Sequence, residues 1–144
     1  ILTQPLTFIA TCNAISYIGA HPVFIDVDCD TLGLSPQAVR TWLESNAEVR
    51  DGACCNKRTG RRVKAVIPMH TFGHPVKIDE LADICREWNL ELIEDAAESI
   101  GSFYKGRHSV RSVRSVLTAT KPLPRVAGEC CCLWMRSWEI TPSI

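Results

Sequence analysis

Two adjacent carboxylates, Glu94 and Asp95, close the apolar run "LELIEDAA" over residues 90–97, and a third acid, Glu98, follows. An acid removed from water needs a partner. A buried strand that ends on two of them therefore implies either a ligand at its tip or a turn that uses the carboxylates. Two other apolar runs end in a similar way. "HPVFIDVD" (21–28) closes on Asp26 and Asp28, and "VKAVIPMH" (63–70) closes on His70. Ligands of open parallel sheets bind outside the carboxyl ends of the strands, so the three ends could form one rim. The competing reading is that each acid caps the turn behind it, and the pattern alone leaves both open. His70 and His74 form H-x-x-x-H, but they follow a strand and stand beside Gly73 and Pro75. A helical zinc site is not expected there.

These side chains need elements to hold them. "LTFIATCNAISYI" (6–18) reads as a buried helix. "SPQAVRTWLESN" opens a second helix, with Ser35 as cap and Pro36 in the first turn, where its missing N–H costs nothing. "DGACCNKRTGRR" (51–62) reads as an exposed loop or hairpin. "IDELADICREWN" (78–89) places Ile78, Leu81, Ala82, Cys85 and Trp88 on one helical face, with acids near its start. Arg107 and His108 in "YKGRH" read as a turn after a short hairpin built around Gly106. Strands alternating with helices imply an α/β fold with a mainly parallel sheet and flanking crossover helices.

Bulk composition narrows the function classes. The 144 residues are 46% hydrophobic, enough for one domain with a core. A formal charge of +0 offers no electrostatic case for nucleic acid or an anionic membrane. No apolar run reaches the length of a membrane span, and a cytoplasmic setting is expected. Of the eight cysteines, Cys54-Cys55 and Cys130-Cys131-Cys132 are contiguous and no C-x-x-C occurs. Free, reduced thiols are expected rather than a disulfide framework or zinc site. No G-x-G-x-x-G follows a strand, which disfavours a dinucleotide enzyme. The first residue is Ile1, so the sequence is expected to begin inside a longer protein.

The ordered motifs "LTFIATCNAISYIGAHPVFIDVDCDTLGLSP" and "VKAVIPMHTFGHPVKIDELADICREWNLELIEDAAESIGSFYKGRH" resemble the DegT/DnrJ/EryC1/StrS sugar aminotransferases, over roughly residues 2 to 108. The stretch "CCNKRTGRRVKAVIPMHTFGHP" is most similar to the LegC-type branch. The resemblance implies part of the large domain of an aspartate-aminotransferase-like, fold type I enzyme that uses pyridoxal 5'-phosphate. It implies an amino group moved, typically from glutamate, to a keto nucleotide-sugar by a homodimer. It further implies three cofactor contacts. Asp95 in "EDAA" would face the ring nitrogen, Phe8 in "TFIAT" would stack on the ring, and Glu98 would lie near the phenolic oxygen. The structural alternatives are a core phenylalanine at 8 and a helix-start acid at 98.

After His108 the resemblance stops. The family continues with a stretch like "SFNGNK", whose lysine holds the cofactor as a Schiff base, and then a glycine run. Residues 109–144 instead read "SVRSVRSVLTATKPLPRVAGECCCLWMRSWEITPSI". Back-translated from Ser109 and read one register over, the same bases can encode "GTFGALSFNGNKALTTGGGGMLLFVDEEL". The tail is therefore expected to be out of frame and poorly packed. Lys121 shares the family lysine's place and is the Schiff-base candidate, although Pro122 and Pro124 impose a different backbone around it. The resemblance implies that the family's phosphate-binding helix start would precede Ile1 and that its small domain would follow the C-terminal end. A catalytically inactive relic and a non-catalytic sugar-binding homologue are the alternatives to an active enzyme.

Overall fold

Strand parity organises the molecule. In the computed structural model, which describes residues 1–99 and 101–108 and the backbone of 116–117, alternate strand residues enter two separate cores. Val66 and Leu92 join Leu2 in the larger core, whereas Ala65, Ile67 and Ile93 point to the opposite face. Both faces are apolar because both are covered, as a parallel sheet requires.

The elements run in the order β1 (Leu2–Thr3), α1 (Ile9–Tyr17), β2 (Val23–Phe24), α2 (Pro36–Asn46), β3 (Ala47–Arg50), β4 (Ala53–Asn56) and β5 (Ala65–Ile67). A 3-10 turn (Thr71–Gly73) follows, then α3 (Ile78–Glu87), β6 (Glu91–Leu92), β7 (Glu94–Asp95), β8 (Phe103–Tyr104), β9 (Arg107–His108) and β10 (Val116–Leu117). The central sheet has the order β2-β1-β5-β6, all parallel. β6 and β7 are one physical strand. The ladder runs on through Ile93 N–H to Val66 O (3.0 Å) and Asp95 N–H to Pro68 O (2.9 Å), and His70 N–H returns to Asp95 O (3.1 Å).

α1 packs on one face through Ala14 and Ile15, and α2 and α3 pack on the other through Val39, Leu43, Leu81, Ile84 and Cys85. From β1 the chain moves outward to β2, then crosses back to β5 on β1's other side. The loops after β1 and β5 thus leave the sheet towards opposite faces. A ligand of such a sheet sits at this kind of reversal.

The caps follow the sequence. Ser35 Oγ accepts the Ala38 N–H (3.2 Å) and Pro36 occupies the first turn of α2. β3 and β4 form an antiparallel hairpin turned by Asp51 (φ 51) and Gly52 (φ 74), a left-handed pair that suits a two-residue hairpin turn. Three expectations need correction. The 6–18 segment is only half buried: α1 buries Thr11, Ala14 and Ile15, while Ile9 and Tyr17 remain exposed, because a sheet covers one side of a helix. Arg107 and His108 form the second strand of the β8–β9 hairpin rather than a turn after it. In the tail, Val116 and Leu117 pair in parallel with Glu94 and Asp95, so these two residues add a strand where none was expected.

Candidate active site

Glu94 and Asp95 are consecutive, so the pleat sends them to opposite faces. Glu94 is fully buried on the α2/α3 side, where its Oε2 lies 3.1 Å from His70 Nε2. His70 Nδ1 accepts the Val76 N–H (3.2 Å), so the ring proton sits on Nε2 and is donated to Glu94. Glu94 therefore meets an internal need. Its Oε1 has no partner among the described residues.

Asp95 faces the α1 side. Thr11 Oγ1 donates to its Oδ2 at 2.6 Å, and the Ala97 N–H donates to its Oδ1 at 3.2 Å. Both donors are neutral. Among the described residues no cation stands within ion-pair distance of this carboxylate, although only 9% of Asp95 is exposed. A buried acid with open lone pairs and no cation fits a cationic nitrogen brought by a ligand.

The surroundings of Asp95 come from the loops after β1 and β5. Gln4, fully buried, spans them: its Nε2 donates to Thr71 Oγ1 (2.8 Å) and Leu6 O (2.9 Å), and its Oε1 accepts the Met69 N–H (3.2 Å). Thr7 Oγ1 lies 2.9 Å from Thr11 Oγ1 and 3.0 Å from Met69 Sδ. Phe8 caps the start of α1, and its carbonyl accepts the Thr11 N–H (3.1 Å). One helical turn therefore carries both Phe8 and the hydroxyl on Asp95. Phe8 is 67% exposed and lies outside both cores.

Glu98 is exposed, and its Oε2 accepts the Phe72 N–H (2.9 Å). That bond joins the loop after β7 to the 3-10 turn, where Phe72 is left-handed (φ 53) and 72% exposed. Gly73 (φ 80) continues the turn, and a Cβ there would stand 3.0 Å from Glu98 O. Ser102 Oγ donates to Gly73 O (2.8 Å) and closes the same junction. Phe8, Asp95 and Glu98 are thus all attached to the loops at the carboxyl edge. Lys121 lies outside the described residues.

The other strand end behaves differently. Asp28 Oδ1 accepts the Asp30 and Thr31 N–H groups, and its Oδ2 pairs with Lys77 Nζ (2.7 Å). The Lys77 hydrogen bond holds the Asp28 carboxyl below its usual range and raises the ammonium of Lys77. Asp28 is a turn acid. His74 is exposed, well apart in role from buried His70. Residues missed by sequence reasoning are Gln4, Thr7, Thr11 and Met69. Their signal was weak, since small polar residues before a helix also read as ordinary loop and cap chemistry.

A parallel sheet between helical layers is the architecture of the fold type I pyridoxal-phosphate aminotransferases. The chain belongs to the DegT/DnrJ/EryC1/StrS aminotransferase family, whose model matches residues 1–118, ten residues beyond the break expected at His108. EpsN of Bacillus subtilis, named as a pyridoxal phosphate-dependent aminotransferase, is 41% identical over 109 residues, covering 76% of this chain and 26% of EpsN. Among solved structures, DesI in the presence of its TDP-sugar product is 31% identical with a TM-score of 0.60, covering 75% of this chain and 24% of DesI. A family aminotransferase from Brucella abortus is 30% identical with a TM-score of 0.59, covering 69% and 24%. The chain spans about a quarter of the length of these relatives. Among the described residues no helix is long and apolar enough to cross a membrane.

Proposed function

We propose that this chain is part of a cytoplasmic, homodimeric aminotransferase that moves an amino group, with glutamate as donor, to a keto nucleotide-sugar in amino-sugar or surface-polysaccharide synthesis. The supporting observation is Asp95, a buried carboxylate at the sheet's carboxyl edge that receives only neutral hydrogen bonds. The resemblance to DesI, solved with a TDP-sugar, supports the substrate class. The LegC-type assignment rests on the stretch "CCNKRTGRRVKAVIPMHTFGHP" and on Glu98.

Pyridoxal phosphate, when bound, supplies an electron sink for the carbon losing its proton. Asp95 would hold the protonated ring nitrogen of the cofactor, and Phe8 would cover one face of its ring. Glu98, tied to the Phe72 amide through Oε2, would present Oε1 to the phenolic oxygen. Lys121 is the proposed anchor and proton carrier.

The experiment is a titration of the purified chain with pyridoxal phosphate, read by the visible absorbance of lysine-bound cofactor. An active site in this chain would give a band that disappears in Lys121→Ala and weakens in Asp95→Asn. No band in the parent chain would sink the active-enzyme reading and leave the inactive, out-of-frame product. Pro122 and Pro124, which follow Lys121, favour that second reading. It requires a one- or two-base change near codons 108 and 109 that restores the family frame in the DNA. Bleaching by glutamate without turnover would instead mark a sugar-binding homologue.

A further inference from the structure

We propose that Thr11 is a positioning residue for Asp95. Its hydroxyl fixes the rotation of the carboxylate, and the same helical turn sets Phe8 in register with it. This rests on reading Asp95 as the partner of a ligand's cationic nitrogen.

Proton counting gives the direction. An ionised carboxylate has no proton, so Thr11 must be the donor in the 2.6 Å contact with Oδ2. Thr11 has one hydroxyl proton, so in its 2.9 Å contact with Thr7 it can only accept. Thr7 is then the donor to Thr11, and its 3.0 Å approach to Met69 Sδ is packing. The chain Thr7 to Thr11 to Asp95 therefore has one polarity, set by the charge at its end.

The geometry is restrictive. The two donors on Asp95 come from different elements, Thr11 from α1 and the Ala97 N–H from the loop after β7, so together they stop the carboxylate from turning. Thr11 is 3% exposed, and its β-branch limits the directions its hydroxyl can take. Its backbone N–H is bound to Phe8 O. A shift of the hydroxyl away from Asp95 therefore also moves the residue that carries the exposed ring.

The test compares Thr11→Val, which keeps the shape, with Thr11→Ser, which keeps the hydroxyl. In the ligand-free chain, NMR of the Asp95 carboxyl carbon should show a changed resonance in Thr11→Val and a near-parental one in Thr11→Ser. Affinity for pyridoxal phosphate, read by fluorescence quenching, should fall about tenfold in Thr11→Val, the scale of one hydrogen bond to a charged group. In Thr11→Ser it should fall less than about threefold. Equal behaviour of the two variants, or an unchanged carboxyl resonance in Thr11→Val, overturns the proposal. A parent chain that does not bind pyridoxal phosphate defeats the functional reading instead, and the carboxyl comparison still decides the role of Thr11.

Discussion

Glu94 and Asp95 share a peptide bond but not a task. Glu94 turns to the α2/α3 side and accepts a hydrogen bond from His70 Nε2–H, whereas Asp95 turns to α1 and accepts one from Thr11. His70 also receives the Val76 N–H on its other nitrogen and gives its own N–H to Asp95 O, so a single residue joins the β5 loop to both acids. His70→Ala should leave a fully buried carboxylate and a buried amide unpaired. The expected destabilisation is roughly 3 kcal/mol in denaturant unfolding. A loss below about 1 kcal/mol would mean that water replaces the ring. The sequence marked His70 and both acids as strand ends, but not which of them paired with which. That pairing depends on strand parity and on two loops distant in sequence.

At the scale of elements, the cap of α2 was legible because capping is local. Ser35 and Pro36 act through their own turn, and the structure uses both. Ser35→Ala should cost about 1 kcal/mol, measured as a lower unfolding midpoint, while Ser35→Asp should retain most of the parental value. The β8–β9 hairpin is held from a distance. Tyr104 Oη donates to Asp79 Oδ1 (2.6 Å), and Lys105 Nζ donates to Asp79 Oδ2 at the start of α3. The Lys105 hydrogen bond comes first, followed by that of Tyr104, in pulling the Asp79 carboxyl down to about 2 from an ordinary 3.8. A depressed carboxylate stabilises the fold above its unfolded value and loses that contribution as pH falls through its folded value. The hairpin should therefore stay docked above pH 4 and loosen as pH approaches 2. Amide exchange over residues 103–107 would report this, and Asp79→Asn should abolish the pH step. An unchanged step in that variant would assign the transition to another group.

At the scale of the molecule, the sheet order and the approach of the loops decide the site. Gly33 sits where a Cβ would meet Val76 Cγ1 at 2.2 Å and Met69 O at 3.3 Å. Val76 is fully buried and cannot swing away. Gly33→Ala should therefore destabilise by about 1–3 kcal/mol through overpacking. It should also disturb the β5 loop that carries Met69 and His70, read as shifted amide resonances at 69–76. A variant with parental stability would show that the two loops can separate freely. The cysteines give an independent reading of burial. Desolvation lifts the Cys54 thiol to about 11, with Cys55 adding to it, and desolvation lifts Cys85 to about 12, with Glu91 adding to it. Both should resist alkylation at neutral pH until the core opens.

The sequence by itself determined the α/β class, the positions of α2 and α3, the family and the candidates Phe8, Asp95 and Glu98. Each of these is written in local spacing or in a motif whose residues lie close together. Tertiary structure alone decided that Glu94 serves His70, that Asp28 serves its own turn and Lys77, and that Thr11 reaches Asp95 across 84 positions. Those pairings depend on which strands lie side by side and on which face each residue points to, and both are set by packing the helices onto the two sides of the sheet.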